Sequence, residues 1–353
     1  MKARLNRFMA QLAKLPVDAM LITDQHNIYY LTGFWGSAGT VFISPKRQLF
    51  LTDARYTLLA KQVVTDFEVI ETRSPLEEIK KIIAQDTLDC LGFERHMSYA
   101  FFEQLTSVFE RYGLVALDHV VETLRQIKDE TELALIKKAC QISDQAFLDV
   151  LDWIRVGETT ELAVANFLDF RMRELGASGV SFETIVASGK RSAMPHGVAT
   201  DAVIQAGDSL TLDFGCIYQH YVSDMTRTVH VGHVTDEERD IYDIVLRSNQ
   251  ALISAAKAGM TYRDYDGVAR SVIEKAGYGS HFTHGIGNCI GLDIHEIPFF
   301  GKSDKPLQVG MVVTDEPGIY LDNRYGVRIE DDLVITADGC EVLTQAPKEL
   351  IIL

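Results

Sequence analysis

Positive charge is scarce in this chain: 34 Lys and Arg stand against 50 Asp and Glu, a formal net charge of −16. Nucleic acid and anionic membrane surfaces would repel such a protein, so neither is expected as a partner. Cysteine pairs are lacking as well. Cys90, Cys140, Cys216, Cys289 and Cys340 are scattered, odd in number and form no CxxC. That excludes a thiolate metal framework and fits a reducing cytoplasm. No apolar run is of bilayer length, since the longest uncharged stretch, residues 26–45, is broken by three Gly and by Ser, Thr, Tyr and Asn. The first 20 residues carry Lys2, Arg4, Arg7, Lys14 and Asp18, which leaves no apolar segment of signal-peptide type. A cytoplasmic protein is expected.

What is present is 353 residues, 47% hydrophobic and 24% charged, a globular composition too long for one ordinary core. The first third alternates helical and strand-like patterns. Helical spacing over residues 5–15 precedes the apolar run 19–23, and residues 29–32, 40–44 and 48–52 read as short strands. Helical patterns return over 54–64, 75–84 and 99–112, which makes an α/β domain. The polar segment 125–132 marks a boundary, giving domains 1–124 and 125–353. A long amphipathic helix follows, with Ile136, Ala139, Ile142, Ala146, Phe147 and Val150 at spacings of three and four. Gly157 is expected to stop it.

The remainder carries a faint internal repeat. Gly157-Glu-Thr159 opens a helix ending near Gly176, and Gly259-Met-Thr261 opens one ending near Gly277. Histidine-bearing sequence of β type follows each, over 181–196 and 281–295. Two such halves suggest pseudo-two-fold symmetry with a site on the shared face.

Four acids lie in apolar, strand-like surroundings: Asp213, Asp224, Glu316 and Glu330. Buried carboxylates need a compensating cation. Each taken singly reads equally well as an ordinary buried ion pair or turn carboxylate. Four together, with only Arg227 and Arg328 nearby, point to hard divalent metal ions, which oxygen ligands suit.

The residues resemble those of the aminopeptidase P family, the short bacterial Xaa-Pro aminopeptidases of the creatinase/prolidase/methionine aminopeptidase superfamily. The resemblance rests on Asn27-Ile-Tyr-Tyr-Leu-Thr-Gly-Phe34, Ser181-Phe-Glu-Thr-Ile-Val-Ala-Ser-Gly189, Pro195-His-Gly197, Asp213-Phe-Gly215, Ser223-Asp-Met-Thr-Arg-Thr228, Leu292-Asp-Ile-His-Glu296, Glu316-Pro-Gly-Ile-Tyr320 and Val327-Arg-Ile-Glu-Asp331, in that order. It implies an α/β N-terminal domain followed by an α+β pita-bread catalytic domain with a curved antiparallel sheet. It also implies two divalent metal ions, Mn²⁺ first and Co²⁺ or Zn²⁺ as alternatives. Asp213 would bind one ion, Asp224 and Glu330 would bridge both, and Glu316 would bind the second and help move protons. A hydroxide bridging the ions would attack the scissile carbonyl. His196 and His295 would line the substrate pocket and stabilise the tetrahedral intermediate, and Arg328 would orient the carboxylates. Proline-containing peptides are the implied substrates and a homodimer the implied assembly.

One position departs from the family pattern. Where the family carries a metal-binding histidine seven residues before His295, this chain has Asn288, followed by Cys289. His284-Gly-Ile-Gly287 imitates the family motif four residues too early, and on a strand four residues span about 13 Å. His284 is therefore expected to lie out of reach, Cys289 to face away, and the second metal site to be weakened. Three functions stay open: Xaa-Pro aminopeptidase, prolidase restricted to Xaa-Pro dipeptides, and a catalytically silent binding protein.

Overall fold

The computed structural model describes residues 1–298 and 303–353. It divides into two compact units, Met1–Arg125 and Gln126–Leu353.

The first unit is built on a six-stranded sheet: β1 (Ala19–Ile22), β2 (Thr40–Ile43), β3 (Gln48–Thr52), β4 (Glu68–Glu71), β5 (Cys90–Glu94) and β6 (Gly113–Leu117), in the order β4-β3-β2-β1-β5-β6. The β1–β2 and β2–β3 pairs are antiparallel, and β3–β4, β1–β5 and β5–β6 are parallel. Six helices accompany it: α1 (Lys2–Leu12), α2 (Gln25–Thr32), α3 (Thr57–Val63), α4 (Pro75–Asp86), α5 (Tyr99–Val108) and α6 (Val120–Arg125). The apolar runs of β1 and β2 are buried at every position, as expected of strands covered on both faces.

Residues 29–32 form the end of α2, not a strand. The aromatic pair Tyr29-Tyr30 favours β structure, but capping decides the segment. Asp24 accepts the Asn27 N–H at 2.9 Å at one end, and Gly33 takes the left-handed conformation (φ 76°) at the other.

In the second unit, two helix pairs alternate with antiparallel strands. The helices are α7 (Glu130–Trp153) with α8 (Glu161–Glu174), and α9 (Asp236–Ala255) with α10 (Tyr262–Lys275). The strands after α8 are β7 (Gly179–Val180), β8 (Ile185–Ser188), β9 (Ser209–Phe214), β10 (Cys216–Tyr218), β11 (Tyr221–Val222) and β12 (Met225–His230). Those after α10 are β13 (Val312–Asp315), β14 (Gly318–Leu321), β15 (Tyr325–Arg328), β16 (Asp331–Ile335) and β17 (Cys340–Val342). They pair as β11-β10-β7, β12-β9-β8, β13-β16-β17 and β14-β15.

The faint repeat in the sequence is a strong repeat in the structure. Both α7 and α9 start with a reciprocal capping box, Asp129 with Glu132 and Thr235 with Glu238. Helices α8 and α10 are both 14 residues long, with Thr160 and Thr261 as N-caps. Both end in the same motif. Gly176 (φ 110°) and Gly277 (φ 90°) occupy the left-handed position, and the next N–H reaches back five residues, Ala177 to the Met172 carbonyl and Tyr278 to that of Ile273, each at 3.0 Å. Gly157 does not cap α7. That helix ends at Trp153 with Ile154 in extended backbone, and Gly157 (φ 81°) turns the chain three residues later, its N–H bonded to the Ile204 carbonyl. The counterpart in the second half is the Gly259 N–H on the Leu307 carbonyl.

Segment 281–295 is not a strand. A short 3-10 turn, Gly279–His281, leads into irregular backbone that meets the strands through isolated contacts, among them a bridge from Cys289 to Val313 and the Thr314 N–H on the Asn288 carbonyl. Among the described residues no helix is long and apolar enough to cross a membrane.

Candidate metal centre

The symmetry of the halves places the acids. Asp213 lies near the end of β9, paired with Thr226 of β12, and Asp224 immediately precedes β12. In the other half Glu316 follows the last residue of β13, and Glu330 immediately precedes β16, which pairs with β13. Each half thus offers one acid at the end of one strand and one at the start of its antiparallel neighbour. Oxygens of Asp213, Asp224 and Glu330 lie within 4.8 Å of one another, and all three residues are buried. Glu316 lines the same hollow, which holds about 310 Å³ and is also walled by His196, Asn288 and His295.

Such crowding has an electrostatic signature. Burial, and then the neighbouring carboxylates with Asp213 first, push Asp224 well above the usual carboxylate range. Burial followed by Asp224 does the same to Glu330. Burial raises Glu316 to about 7, opposed by the Arg328 guanidinium. One cation on the protein side works against this. Arg328 donates to Asp213 Oδ2 at 2.6 Å through Nη2, to Thr226 Oγ1 at 3.0 Å through Nε, and to the Tyr320 hydroxyl at 2.8 Å through Nη1. Thr226 in turn donates to Glu330 Oε2 at 2.7 Å. Arg328 therefore orients two of the acids, one directly and one through a hydroxyl.

The donor set suits divalent metal ions. Asp213 Oδ1 is buried with no hydrogen-bond partner, and three buried carboxylates share one arginine, which leaves uncompensated negative charge on closely spaced oxygens. Hard dications are held by that arrangement.

Two buried clamps set the loops around the acids. Glu161, fully buried, accepts from Ser188 N and Oγ, Arg191 Nε, and Thr200 N and Oγ1 at 2.7–3.0 Å. It fixes the turn Gly189–Ala193 that leads to Pro195 and the exposed His196. In the other half Lys128 Nζ meets Glu296 Oε2 at 3.0 Å, and Glu296 Oε1 accepts the Leu292 N–H at 3.0 Å. That pair holds the loop carrying His295. Behind Asp224, its backbone N–H donates to Asp332 Oδ2 at 2.9 Å, which the Cys140 thiol also approaches at 3.3 Å. Sequence reasoning missed Thr226, Glu161, Lys128, Glu296 and Asp332. The run Glu330-Asp331-Asp332 in an otherwise apolar strand was the available signal for the last.

Asn288 and His284 both line a hollow of about 270 Å³ with Asp213, His196, His295, Glu316 and Arg328. The expected remoteness of His284 is thus corrected. The spacing argument assumed a strand, whereas the irregular backbone folds both residues onto one wall. His284 Nδ1 lies 3.7 Å from Glu316 Oε2. Its ring nitrogens are engaged, Nδ1 with the Gly285 carbonyl and Nε2 with the Tyr320 hydroxyl, both at 2.8 Å. Burial, with Arg328 next, lowers its pKa to about 4, so it is neutral at physiological pH. The Asn288 amide nitrogen donates to the carbonyls of Ile294 at 2.8 Å and Cys289 at 3.3 Å. Only its carbonyl oxygen can serve as a ligand. Cys289 is fully buried in the apolar core, and burial pushes its thiol to about 12.

Comparison with known proteins gives the family and the fold. Residues 134–337 match metallopeptidase family M24, and residues 4–127 match the creatinase/prolidase N-terminal domain. An uncharacterized peptidase of Bacillus subtilis is 44% identical over 96% of this chain and 97% of its own length. Among solved structures, an Xaa-Pro dipeptidase from Bacillus anthracis is 41% identical with a TM-score of 0.97, covering 100% of this chain and 99% of that one. An X-Pro aminopeptidase from Thermotoga maritima is 39% identical with a TM-score of 0.90, covering 99% of both chains. These structures share the two-domain pita-bread architecture expected from the sequence. The chain belongs to metallopeptidase family M24, with a creatinase/prolidase N-terminal domain ahead of the catalytic one.

Proposed function

We propose that this peptidase hydrolyses the bond between an N-terminal residue and a following proline, using divalent metal, Mn²⁺ first, at the acidic cluster. The observation that carries the reading is the gathering of the buried Asp213, Asp224 and Glu330 within 4.8 Å in a hollow lined by the exposed His196 and His295. Asp213, Asp224 and Glu330 would hold one ion, and Asp224, Glu316, Glu330 and Asn288 the second. Bound there, divalent ions supply Lewis acidity and make water a usable nucleophile at neutral pH.

The chain's own groups do the rest. Arg328 holds Asp213 and, through Thr226, Glu330 in fixed orientation. Glu316, in the hollow beside the other acids, is placed to take and return a proton during the reaction. His196 and His295, on two separately clamped loops, bind the peptide beside the acids and stabilise the oxyanion that forms on the scissile carbonyl. Asn288 brings one amide oxygen where the family pattern has an imidazole, so the second ion is held more weakly than the first.

The test is turnover of Xaa-Pro and Xaa-Pro-Xaa peptides as Mn²⁺ is titrated into chelator-treated protein. Hydrolysis of both supports the aminopeptidase reading. Hydrolysis of the dipeptide alone supports the dipeptidase, a second reading favoured by the name of the 41%-identical Bacillus anthracis structure. No hydrolysis of either at saturating Mn²⁺ overturns both.

A further inference from the structure

A second group of metal-binding side chains lies in the first unit. His96 follows β5 and Asp118-His119 follow β6, so all three stand just outside the carboxyl ends of two adjacent parallel strands. Ligands of open α/β sheets collect at that edge. The scaffold beneath is fixed: the Arg95 N–H donates to the Leu117 carbonyl at 3.0 Å, extending the ladder to the foot of the cluster. On the other side the His119 carbonyl accepts from Thr123 N at 3.1 Å and from Thr123 Oγ1 at 2.6 Å.

Both imidazoles turn Nε2 toward one carboxylate oxygen. His96 Nε2 lies 3.4 Å and His119 Nε2 3.3 Å from Asp118 Oδ1, and the rings stand 4.9 Å apart at 32°. The ligating atoms all fall within 4.8 Å of one another. With metal–ligand bonds of about 2.0–2.1 Å, the edges of a tetrahedron are about 3.3–3.4 Å. Both measured N···O distances match that edge. His119 is the less exposed of the two histidines. Its backbone sits in the left-handed region (φ 53°), disfavoured for a residue with a Cβ, and its buried Nδ1 has no hydrogen-bond partner.

We propose that His96, Asp118 and His119 form a surface site for one divalent transition-metal ion of the zinc class, separate from the acidic cluster. Two imidazoles and a carboxylate suit Zn²⁺, Ni²⁺ or Cu²⁺ better than Mn²⁺, and water completes the coordination. The ion clips the loops after β5 and β6 together.

The full chain is stripped with chelator, saturated with Mn²⁺ and dialysed to equilibrium against Zn²⁺ at pH 7.5, and zinc per chain is measured. The wild type is compared with His96→Ala, which alters an exposed ring, and His119→Asn, which tolerates the left-handed backbone. Zinc that exchanges into the acidic cluster is common to all three proteins and cancels in the difference. The expected result is one zinc fewer per chain in each variant, and loss of the same equivalent from the wild type at pH 5.5, where histidines protonate. Equal zinc in the three proteins at pH 7.5 overturns the proposal.

Discussion

The two halves of the catalytic unit start alike and finish differently. Each has a capped long helix, a threonine-capped 14-residue helix and a left-handed glycine. After Gly176 the chain soon enters β7, β8 and β9, and Asp213 and Asp224 stand on or beside a continuous six-residue ladder between β9 and β12. After Gly277 there is no regular strand among the described residues until Val312. Asn288 and His295 come from that irregular stretch, held by the Lys128–Glu296 pair and by Arg270, which donates to the carbonyls of Phe282 and His284. Ladder hydrogen bonds fix the acids in both halves, while a buried ion pair fixes the irregular stretch that carries Asn288 and His295. Asn288 falls in the half with the weaker backbone framework.

That contrast can be broken first at Lys128. Lys128→Ala removes the ammonium that Glu296 Oε2 meets at 3.0 Å in a buried pair and is expected to cost about 3–5 kcal/mol in denaturant unfolding. Replacing both residues together by Met and Leu is expected to recover most of the loss. A small cost for Lys128→Ala alone would show that the backbone holds the loop unaided.

At the junction of the halves, Arg328→Lys removes the fork that serves Asp213, Thr226 and Tyr320 at once. Metal affinity, read by calorimetry, is expected to fall about 10–100-fold. In the ladder half, His230 is buried with no partner for either ring nitrogen, and burial depresses its pKa below 6.5. The unfolded chain then binds the extra proton, so stability is whole above pH 6.5 and declines as pH falls through the depressed pKa, by at most about 1.4 kcal/mol per pH unit. His230→Leu is expected to flatten that acid limb in thermal melts; an unchanged limb would exclude His230 as its source. The smallest effect tests the symmetry itself. Thr160→Ala and Thr261→Ala are expected to cost about 1 kcal/mol each, and nearly the same amount, because both hydroxyls cap the first turn of matched helices at 3.1 Å.

How much of this was legible in the sequence follows the same contrast. The strands at 40–43 and 48–52, the helix after residue 130 and the paired 14-residue helices announce themselves by periodicity and punctuation, which are local signals. The segment 29–32 misled because its aromatic residues favour strand, while its helix is set by Asp24 and Gly33 at the ends. The four acids stood out as charges in apolar surroundings. Thr226, Glu161 and the Lys128–Glu296 pair did not, since an ordinary threonine or a Lys and Glu 168 residues apart carry no mark of partnership until the chain is folded. His284 was placed too far away because distance along a strand was assumed for a segment whose path is set by tertiary contacts at Asn288, whose backbone exchanges hydrogen bonds with Thr314.

Mn²⁺ binding by equilibrium dialysis to the wild type, Asp224→Asn and Asn288→His decides whether the buried acids are a metal centre. A metal centre gives one tightly held Mn²⁺ and a weaker second in the wild type, loss of tight binding in Asp224→Asn with unchanged far-UV circular dichroism, and a tightened second site in Asn288→His. Equal Mn²⁺ binding by the wild type and Asp224→Asn would contradict it.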